Sequence, residues 1–403
     1  MRILYFHQYF CTPAMPGGTR SYEIARRLVA RGHDVHIITS DQEPTSTEVR
    51  TTNESGIQVT WIPVAYSNRM AYAARIVAFL RFAINATALG LQWRPDVIFA
   101  TSTPLTIGIP AIISARHWGA PFVFEVRDLW PQVPIAMGAL RNPLLIAIAR
   151  RLESLCYRSS AHIITLSPGM KEGVLRSGWV NDDAVSVIPN LTNPDLASSN
   201  ADDAMALLSE LNLPPHRRLL VYAGTLGHVN DVSYLVDVAA EILPLRPDYH
   251  FLIVGDGIER EKVEAHALNR RVLNRNFFMR DRIPKSRIPA LLRAASLAFS
   301  TVADIPELFD NSANKFFDAL AAHVPVAINY GGWQADLIRS EGIGLVLPRS
   351  PEVAAAYLRD FLDDDDQLAA ARANAARVAP RFSADRAAER IEQILMSVTS
   401  AHL

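Results

Sequence analysis

The N-terminal segment that decides the fold begins with Arg2-Ile-Leu-Tyr-Phe6 and ends with Asp34-Val-His-Ile-Ile-Thr39. Both runs are short and apolar, which is typical of buried strands. Between them, apolar residues recur at helical spacing from about Ser21, and Gly32 marks the end of that helix. A strand, a helix and a strand joined by short links form a βαβ unit, so the sequence predicts a parallel sheet.

The same alternation continues along the chain. Further strands of the first half are predicted at Asp96–Ala100, Pro121–Glu125, His162–Leu166 and Val185–Asn190. Residues 191–200 have a linker composition, and a second series follows at Arg218–Gly224, Tyr249–Gly255, 276–279, 297–300, 326–328 and 344–347. The sequence therefore predicts an α/β protein with two Rossmann-like, doubly wound parallel-sheet domains facing across a cleft. We place them at 1–192 and 193–380, with a C-terminal helix at 381–403 that packs back on the N-terminal domain.

Composition excludes several classes of protein. The 403 residues are 49% hydrophobic, and 40 Lys and Arg oppose 41 Asp and Glu, for a formal charge of −1. The hydrophobic content argues against disorder. The near-equal numbers of basic and acidic residues argue against a nucleic-acid partner. The two cysteines, Cys11 and Cys156, are too few for a disulfide framework or a zinc site. The N-terminal apolar run is too short for a signal peptide, and no stretch reaches ~20 apolar residues. We therefore expect a cytoplasmic protein, at most peripheral to the membrane.

Two glycine loops follow predicted strands. Gly17-Gly18 precedes the first helix, and Gly224-Thr225-Leu226-Gly227 ends the first strand of the second half. Glycine lets the backbone approach a ligand, and the free amides of a following helix favour an anion. A tight turn without a ligand is the alternative for each loop. Gly255-Asp256-Gly257 lacks the third glycine of a dinucleotide fingerprint, so we expect a turn there.

The most informative stretch is Asp310-Asn-Ser-Ala-Asn-Lys-Phe-Phe-Asp318. We expect Asn311 or Ser312 to cap a helix that runs through Ala322. Two carboxylates then bracket the free amides of the helix start, with Lys315 beside them. Amides and a lysine suit phosphates, and carboxylates suit ribose and sugar hydroxyls, so the pattern fits a nucleotide-sugar. An acidic helix start that complements the helix dipole is the alternative.

These residues resemble a known family. The chain is similar to retaining glycosyltransferases of family 4, which have the GT-B fold. Members carry two glutamates separated by seven residues, and here both positions are aspartate, Asp310 and Asp318. The resemblance also rests on the segments Ile3–Phe10, Gly17–Glu23, Phe124–Pro131, Ile188–Asn190 and Asn314–Ala321. Together these look like the bacterial subgroup of N-acetyl-L-fucosamine transferases of O-antigen and capsule synthesis.

The resemblance implies roles for individual residues. Asp318 would bind the ribose hydroxyls, and Asp310 would contact the donor sugar. Gly17 and Gly18 would lie near the donor phosphates and the acceptor. The candidate catalytic residues are Asp310, Asp128 and Lys315, and the remaining candidates for donor binding are Gly224, Thr225, Gly227, Arg280, Arg282 and Asn314.

One departure from the family concerns the diphosphate. Many relatives have an arginine directly after the glycine that matches Gly224 and a lysine a few residues later. This chain has Thr225, and His228-Val-Asn230 contains no lysine. Lys315 is therefore the first choice for the phosphate charge, followed by Arg280, Arg282 or Lys285.

Charged residues also cluster near Phe124-Glu125-Val-Arg127-Asp128-Leu-Trp130. Because they follow a predicted strand, we expect Glu125, Arg127 and Asp128 to position an acceptor. An ion pair of Arg127 with either acid is the alternative, and Asp128 could serve as a proton sink if burial raises its pKa. His7 either lines the cleft with them or belongs to the core.

Metal independence is expected because no D-x-D motif follows a strand, and the run Asp363–Asp366 reads as an acidic helical surface. Helix N-termini and cations would stabilise the departing diphosphate instead.

Two segments, 69–84 and 140–151, combine apolar residues with arginines. This pattern fits interfacial helices on anionic lipid. Ordinary amphipathic helices that cover a sheet are the alternative.

Taken with the resemblance, the sequence predicts a retaining glycosyltransferase that moves a sugar from a UDP-linked donor to a polyprenyl-linked glycan in polysaccharide synthesis. Two other classes stay open. A UDP-sugar epimerase can use the same two-domain fold, and a non-enzymatic two-lobed protein could bind sugars.

Overall fold

The computed structural model describes residues 1–15, 17–67, 70–193, 201–214 and 216–402. They form two compact units. The first comprises Met1–Thr12, Gly18–Pro189 and Ala384–Leu403, and the second comprises Pro13–Gly17 and Asn190–Ser383. Most of the linker predicted at 191–200 lies outside the described residues.

The first unit contains an eight-stranded sheet with the order β3-β4-β2-β1-β5-β6-β7-β8. Its elements are β1 (Arg2–Phe6), α1 (Arg20–Ala30), β2 (Asp34–Asp41), β3 (Arg50–Glu54), β4 (Ile57–Pro63), α2 (Tyr72–Gly90), β5 (Val97–Thr101), α3 (Gly108–Trp118), β6 (Phe122–Val126), α4 (Gln132–Ala136), α5 (Pro143–Ser159), β7 (His162–Thr165), α6 (Pro168–Leu175) and β8 (Val185–Val187). All neighbouring strands pair in parallel except β3 and β4. The predicted fold class is confirmed.

The β3–β4 hairpin is an element that the sequence pattern did not predict. Strand β3 reads Arg-Thr-Thr-Asn-Glu and is largely exposed at the sheet edge, so it lacks the apolar run of a buried strand. The turn uses Ser55 and Gly56, both at positive φ (54° and 86°). Such a pair suits a two-residue turn between antiparallel strands.

The second unit contains a six-stranded, entirely parallel sheet with the order β11-β10-β9-β12-β13-β14. Its elements are α7 (Ala201–Glu210), β9 (Arg218–Ala223), α8 (Val232–Ile242), β10 (Tyr249–Val254), α9 (Arg260–Asn269), β11 (Phe277–Arg280), α10 (Ile288–Ala294), β12 (Leu297–Ser300), α11 (Asn314–Ala321), β13 (Val326–Ile328), α12 (Trp333–Glu341), β14 (Gly344–Val346), α13 (Pro351–Asp363) and α14 (Asp365–Val378). Each strand predicted in this half is present, with ends shifted by at most one residue.

The core of the second unit lies between this sheet and its covering helices. Phe251 of β10 and Phe299 of β12 stack with ring centroids 5.6 Å apart, and both are buried. Leu235 of α8 and Leu358 of α13 are fully buried in the same cluster. Because the strands are covered by helices, they read as continuous apolar runs. Their carboxyl ends meet at one edge, which carries the site described below.

The final helix, α15 (Ala384–His402), belongs to the first unit and packs on α1. Arg27 of α1 donates to Asp385 at 2.7 Å, and the His33 ring lies 2.6 Å from Glu392. The acidic run at 363–366 spans the end of α13 and the start of α14. There, Asp364 accepts a hydrogen bond from the backbone of Gln367 and so caps α14.

Candidate active site

The glycine loop after β9, residues 224–227, is held by backbone hydrogen bonds to the end of β10 and the loop that follows it. The backbone N–H of Gly224 donates to Val254, and that of Leu226 donates to Asp256, both at 3.0 Å. A Cβ atom at Gly255 would lie 1.9 Å from the carbonyl oxygen of Gly224. The Gly255-Asp256-Gly257 segment therefore supports the Gly224–Gly227 loop by close backbone packing.

Lys315, the second residue of α11, lies directly over this loop. A Cβ atom at Gly224 would be 3.0 Å from its Cδ and 3.4 Å from its Nζ. The Nζ donates to Asn230 Oδ1 at 3.1 Å and lies 5.2 Å from the centroid of the Tyr222 ring. Burial lowers the pKa of Lys315 to about 8, Lys285 acts in the same direction, and Asp318 opposes the change. A partly desolvated cation beside a glycine loop suits an anionic ligand.

Asp318 lies on the same helix, about one turn from its start. Its Oδ2 accepts from Lys285 Nζ at 2.5 Å, and both side chains are mostly buried. Asp318 and Lys315 also line one small pocket, whose apolar walls come from β9, α10 and β12. The helix thus brings one carboxylate and one lysine to the carboxyl end of β9.

The loop that enters α11 corrects the predicted helix cap. The helix begins at Asn314 and ends at Ala321, and no side chain caps its start. Ser312 is instead bound to Asn190, whose backbone N–H donates to Ser312 Oγ at 3.0 Å and whose side-chain amide donates to the Ser312 carbonyl. Asn311 Oδ1 accepts from the Ala313 N–H, one residue before the helix, at 3.0 Å. The first amides of α11 therefore lack a side-chain cap.

Asp310 and Asn314 flank this uncapped start. Asp310 is half-buried in the loop before α11, and Asn314 is the first helical residue and also half-buried. The contact of Asp310 with the donor sugar and the participation of Asn314 in donor binding stay predictions.

The remaining candidate cations are placed differently. The guanidinium of Arg280 donates to the carbonyls of Leu211 and Met279, each at 2.8 Å, so it ties β11 to the loop after α7. Arg282 is exposed in the loop after β11. Lys285 binds Asp318, as described above. Among the four predicted phosphate cations, Lys315 is the one that lies over the glycine loop.

In the first unit, Glu125 lies in β6, one residue before its end, and its buried side chain corrects the expectation that it contacts an acceptor directly. It is fully buried and binds Arg20, whose Nε and Nη2 lie 2.9 and 2.8 Å from Glu125 Oε1. Thr101 Oγ1 donates to the other carboxylate oxygen at 2.9 Å. An ion pair of Glu125 with Arg127 was one of the alternatives, and the observed partner is instead Arg20, 105 residues away.

Arg20 is a residue whose role the sequence did not reveal. As the first residue of α1, it also donates to the carbonyls of Ile188 at 3.0 Å and Pro189 at 2.5 Å. Ile188 and Pro189 are the last two residues of the segment Gly18–Pro189, the longest of the three segments that form the first unit. The signal available in the sequence was the Arg directly after Gly17-Gly18-Thr19.

Gly17, in the predicted glycine loop before α1, has φ 143°, a backbone conformation that favours glycine.

His7, Arg127 and Asp128 follow β1 and β6. His7 is buried, and burial together with Arg127 holds the pKa of its imidazole well below the usual range, so it is neutral at pH 7. The Arg127 N–H donates to Ser102 Oγ at 3.0 Å. Desolvation by the surrounding protein raises the pKa of Asp128 to about 6, and the charge of Arg127 and a hydrogen bond with Thr103 both oppose this rise. Part of the residue is nevertheless exposed to solvent. A carboxylate with such a pKa can hold a proton near neutral pH.

The described residues contain no group of three or more His, Cys, Asp or Glu side chains placed to hold a metal ion. One described helix is long and apolar enough to cross a membrane, α2 over Ala73–Gly90, with a mean hydropathy of 1.3. Its buried residues Phe82 and Ala86 pack into the core of the first unit.

Comparisons with known proteins agree with this architecture. Residues 17–191 match the glycosyl transferase 4-like domain, and residues 206–379 match the glycosyl transferases group 1 domain. The chain is 24% identical to WcaI of Escherichia coli (strain K12), named as a candidate colanic acid biosynthesis glycosyl transferase, over 67% of this chain and 69% of that protein.

Two solved structures show the same fold. Sucrose-phosphate synthase from Thermosynechococcus elongatus superposes with a TM-score of 0.79 at 17% identity, over 99% of both chains. Anabaena HepE, in complex with UDP and glucose, superposes with a TM-score of 0.72 at 18% identity, over 98% of this chain and 99% of that chain. Two Rossmann-like units of this kind define the GT-B fold. The chain is a GT-B glycosyltransferase of the family 4 and group 1 type, and it has a relative connected with polysaccharide synthesis.

Proposed function

We propose that the protein transfers a sugar, with retention of anomeric configuration, from a UDP-linked donor to a glycan on a polyprenyl carrier. The observation that carries this proposal is the position of Lys315 over Gly224, at the uncapped start of α11 and on the same helix as Asp318. That arrangement offers a cation, free amides and a carboxylate to one ligand. A nucleoside diphosphate sugar can use all three, the cation and amides for its phosphates and the carboxylate for its hydroxyls.

The donor would be held by the second unit. Lys315 and the first amides of α11 bind the diphosphate, and the glycines at 224 and 227 allow it to approach the backbone. Asp318 accepts hydrogen bonds from the ribose, and Asp310 contacts the sugar. HepE, which has the same fold, was solved with UDP and glucose, and this supports a UDP-linked donor.

The reaction needs little proton chemistry from the protein. The bond between the anomeric carbon and the leaving phosphate oxygen breaks, and a bond to the acceptor oxygen forms on the same face of the sugar. The acceptor proton passes to the leaving phosphate oxygen, while Lys315 and the helix amides stabilise the diphosphate charge. These groups can provide that stabilisation without a metal ion, so we propose metal independence. Asp128 is the alternative proton sink.

The acceptor would be bound by the first unit, through His7, Arg127 and Asp128. Glu125 contributes indirectly, since its ion pair with Arg20 fixes the end of β6 beside them. A polyprenyl-linked acceptor places the reaction at the cytoplasmic face of the membrane, with contact through segments 69–84 and 140–151. Arg69, at the edge of the first segment, lies outside the described residues.

A product assay tests the proposal. Purified protein is incubated with a panel of UDP-sugars and polyprenyl diphosphate-linked monosaccharides, and products are followed by mass spectrometry and anomeric NMR couplings. We expect UDP release that depends on the acceptor and a new linkage with the donor's configuration. Conversion of a UDP-sugar to its epimer without an acceptor would make the protein an epimerase. An inverted linkage would exclude the retaining mechanism.

A further inference from the structure

Helices α2, α3 and α5 lie on one side of the first sheet. The connections from β4 to β5, β5 to β6 and β6 to β7 all run in the same direction across the strand order, and crossovers between parallel strands are right-handed. These three helices therefore share one face, in which α3 packs against both of the others. Helix α1 joins β1 to β2 in the opposite direction and lies on the other face.

The outer surface of these helices is apolar. In α2 the most exposed large side chains are Val77 (64%) and Ile84 (70%), and in α5 they are Leu144 (69%) and Ile148 (55%). Of the sixteen large apolar side chains exposed in the described part of the chain, seven belong to these helices: Val77, Leu80, Ile84, Ile113, Leu144, Ile148 and Leu155. An amphipathic helix that only covers a sheet exposes its polar side, so that alternative does not explain this surface.

The charges on the same surface are of one sign. The exposed charged residues of the three helices are Arg81, Arg116, Arg150, Arg151 and Arg158. The helices contain a single acidic residue, Glu153, which is buried. The exposed charges of α2, α3 and α5 are therefore all cationic, although the chain as a whole has a formal charge of −1.

We infer that the outer face of α2, α3 and α5, which we call the docking face, binds flat to an anionic lipid bilayer. Leucine and isoleucine side chains enter the headgroup boundary, and the arginines contact lipid phosphates. Helix α2 cannot leave the fold to span the bilayer without exposing the core residues Ala78, Phe82 and Ala86. The inference rests on the proposed function in one respect, the lipid carrier of the acceptor. It adds α3 to the two segments that the sequence pointed to, 69–84 and 140–151.

The test measures binding of the full-length protein to vesicles by co-flotation. Vesicles contain either phosphatidylcholine alone or phosphatidylcholine with about 30 mol% phosphatidylglycerol. The second composition provides an anionic surface of the kind that attracts basic residues. We expect binding to the anionic vesicles that is at least tenfold tighter than to the neutral ones. Each arginine near such a surface contributes about fivefold.

Two matched pairs of variants locate the surface. The double variant Ile84→Glu and Ile148→Glu should lose at least about tenfold in affinity, while Met205→Glu with Leu268→Glu, equally exposed in the second unit, should not. Likewise, Arg81→Gln with Arg151→Gln should weaken binding, and Arg275→Gln with Arg339→Gln should not. Thermal unfolding and UDP titration of each variant show that fold and donor site are intact.

Three results would overturn the inference. They are equal affinity for neutral and anionic vesicles, no vesicle binding at all, and equal losses in the docking-face and control variants. Self-association that Ile84→Glu and Ile148→Glu abolish, without vesicle binding, would assign the face to a protein partner. Because UDP titration is measured on the same samples, failure of lipid binding is distinguished from failure of the proposed donor site.

Discussion

In the second unit, the Nζ atom of Lys285 lies 2.5 Å from the Oδ2 atom of Asp318, and both side chains are largely buried. The carboxylate predicted to bind ribose is therefore held by a lysine from another loop. Its second oxygen is the one left to accept hydrogen bonds from a diol.

Replacing Asp318 should weaken donor binding through loss of a charged hydrogen bond. Asp318→Asn is expected to cost about 1–3 kcal/mol in UDP-sugar affinity, measured by calorimetry. Lys285→Met breaks the same ion pair but keeps the carboxylate, so it should weaken binding less. Unchanged affinity in Asp318→Asn, or an equal loss in both variants, would remove Asp318 from the ribose role.

The contact between Gly224 and Lys315 predicts coupled mutations. Gly224→Ala places a Cβ atom 3.0 Å from Lys315 Cδ, so the lysine side chain must shift by a few tenths of an ångström. We expect UDP-sugar affinity to fall by roughly 1 kcal/mol, about fivefold. In a Lys315→Met background the same substitution should have little further effect on UDP-sugar affinity, since the ammonium group that it displaces is gone.

The matched control for this pair is Gly331→Ala, where an added Cβ would meet no atom closer than 4.0 Å. Additive losses from Gly224→Ala and Lys315→Met would show that the two positions act independently, and the account of the glycine loop would then be wrong.

Donor affinity should depend on pH through Lys315. Burial lowers its pKa to about 8, so the side chain is charged below that value and neutral above it in the free protein. An anionic ligand favours the charged form, and above pH 8 binding must therefore take up a proton. Affinity should fall by up to about tenfold per pH unit there. Calorimetry from pH 6.5 to about 9.5 checks this, and the inflection should be absent in Lys315→Met.

The buried pair of Arg20 and Glu125 should govern the stability of the first unit. Glu125→Gln leaves the Arg20 guanidinium without its counter-charge in a buried site, which costs about 3–5 kcal/mol. Urea unfolding followed by circular dichroism should show a lower midpoint for the transition of this unit. Glu172→Gln, at an exposed site on α6, should leave the midpoint unchanged. A neutral effect of Glu125→Gln would contradict the assignment of this pair as a structural anchor.

The strands of both sheets could be predicted because parallel strands covered by helices are continuous apolar runs. The edge strand Arg50–Glu54 could not, since it is polar and exposed. Its partner Ile57–Pro63 is mostly buried and apolar, so the sequence offered a strand signal there that the prediction did not use. The role of Glu125 was mispredicted because Arg20 binds its carboxylate inside the fold. That partner is distant in sequence, so no local pattern reveals it.

The candidate site was predicted in part. Lys315 and Asp318 share a helix, so their proximity follows from sequence spacing. The contact of Lys315 with Gly224 and the pairing of Lys285 with Asp318 depend on how β9, β11 and α11 are arranged in space. The predicted cap at Ser312 was wrong because its hydroxyl binds the distant Asn190 instead of the helix start.

Calorimetric titration of the wild-type protein and Lys315→Met with UDP, GDP and NAD, in EDTA and then with added Mg²⁺, tests the central claim most directly. We predict UDP-selective binding in EDTA that Lys315→Met weakens by about tenfold or more, since a charged hydrogen bond to phosphate is lost. Absence of UDP binding under both conditions, or equal binding by the variant, would contradict the assignment of the diphosphate to Lys315 and the start of α11.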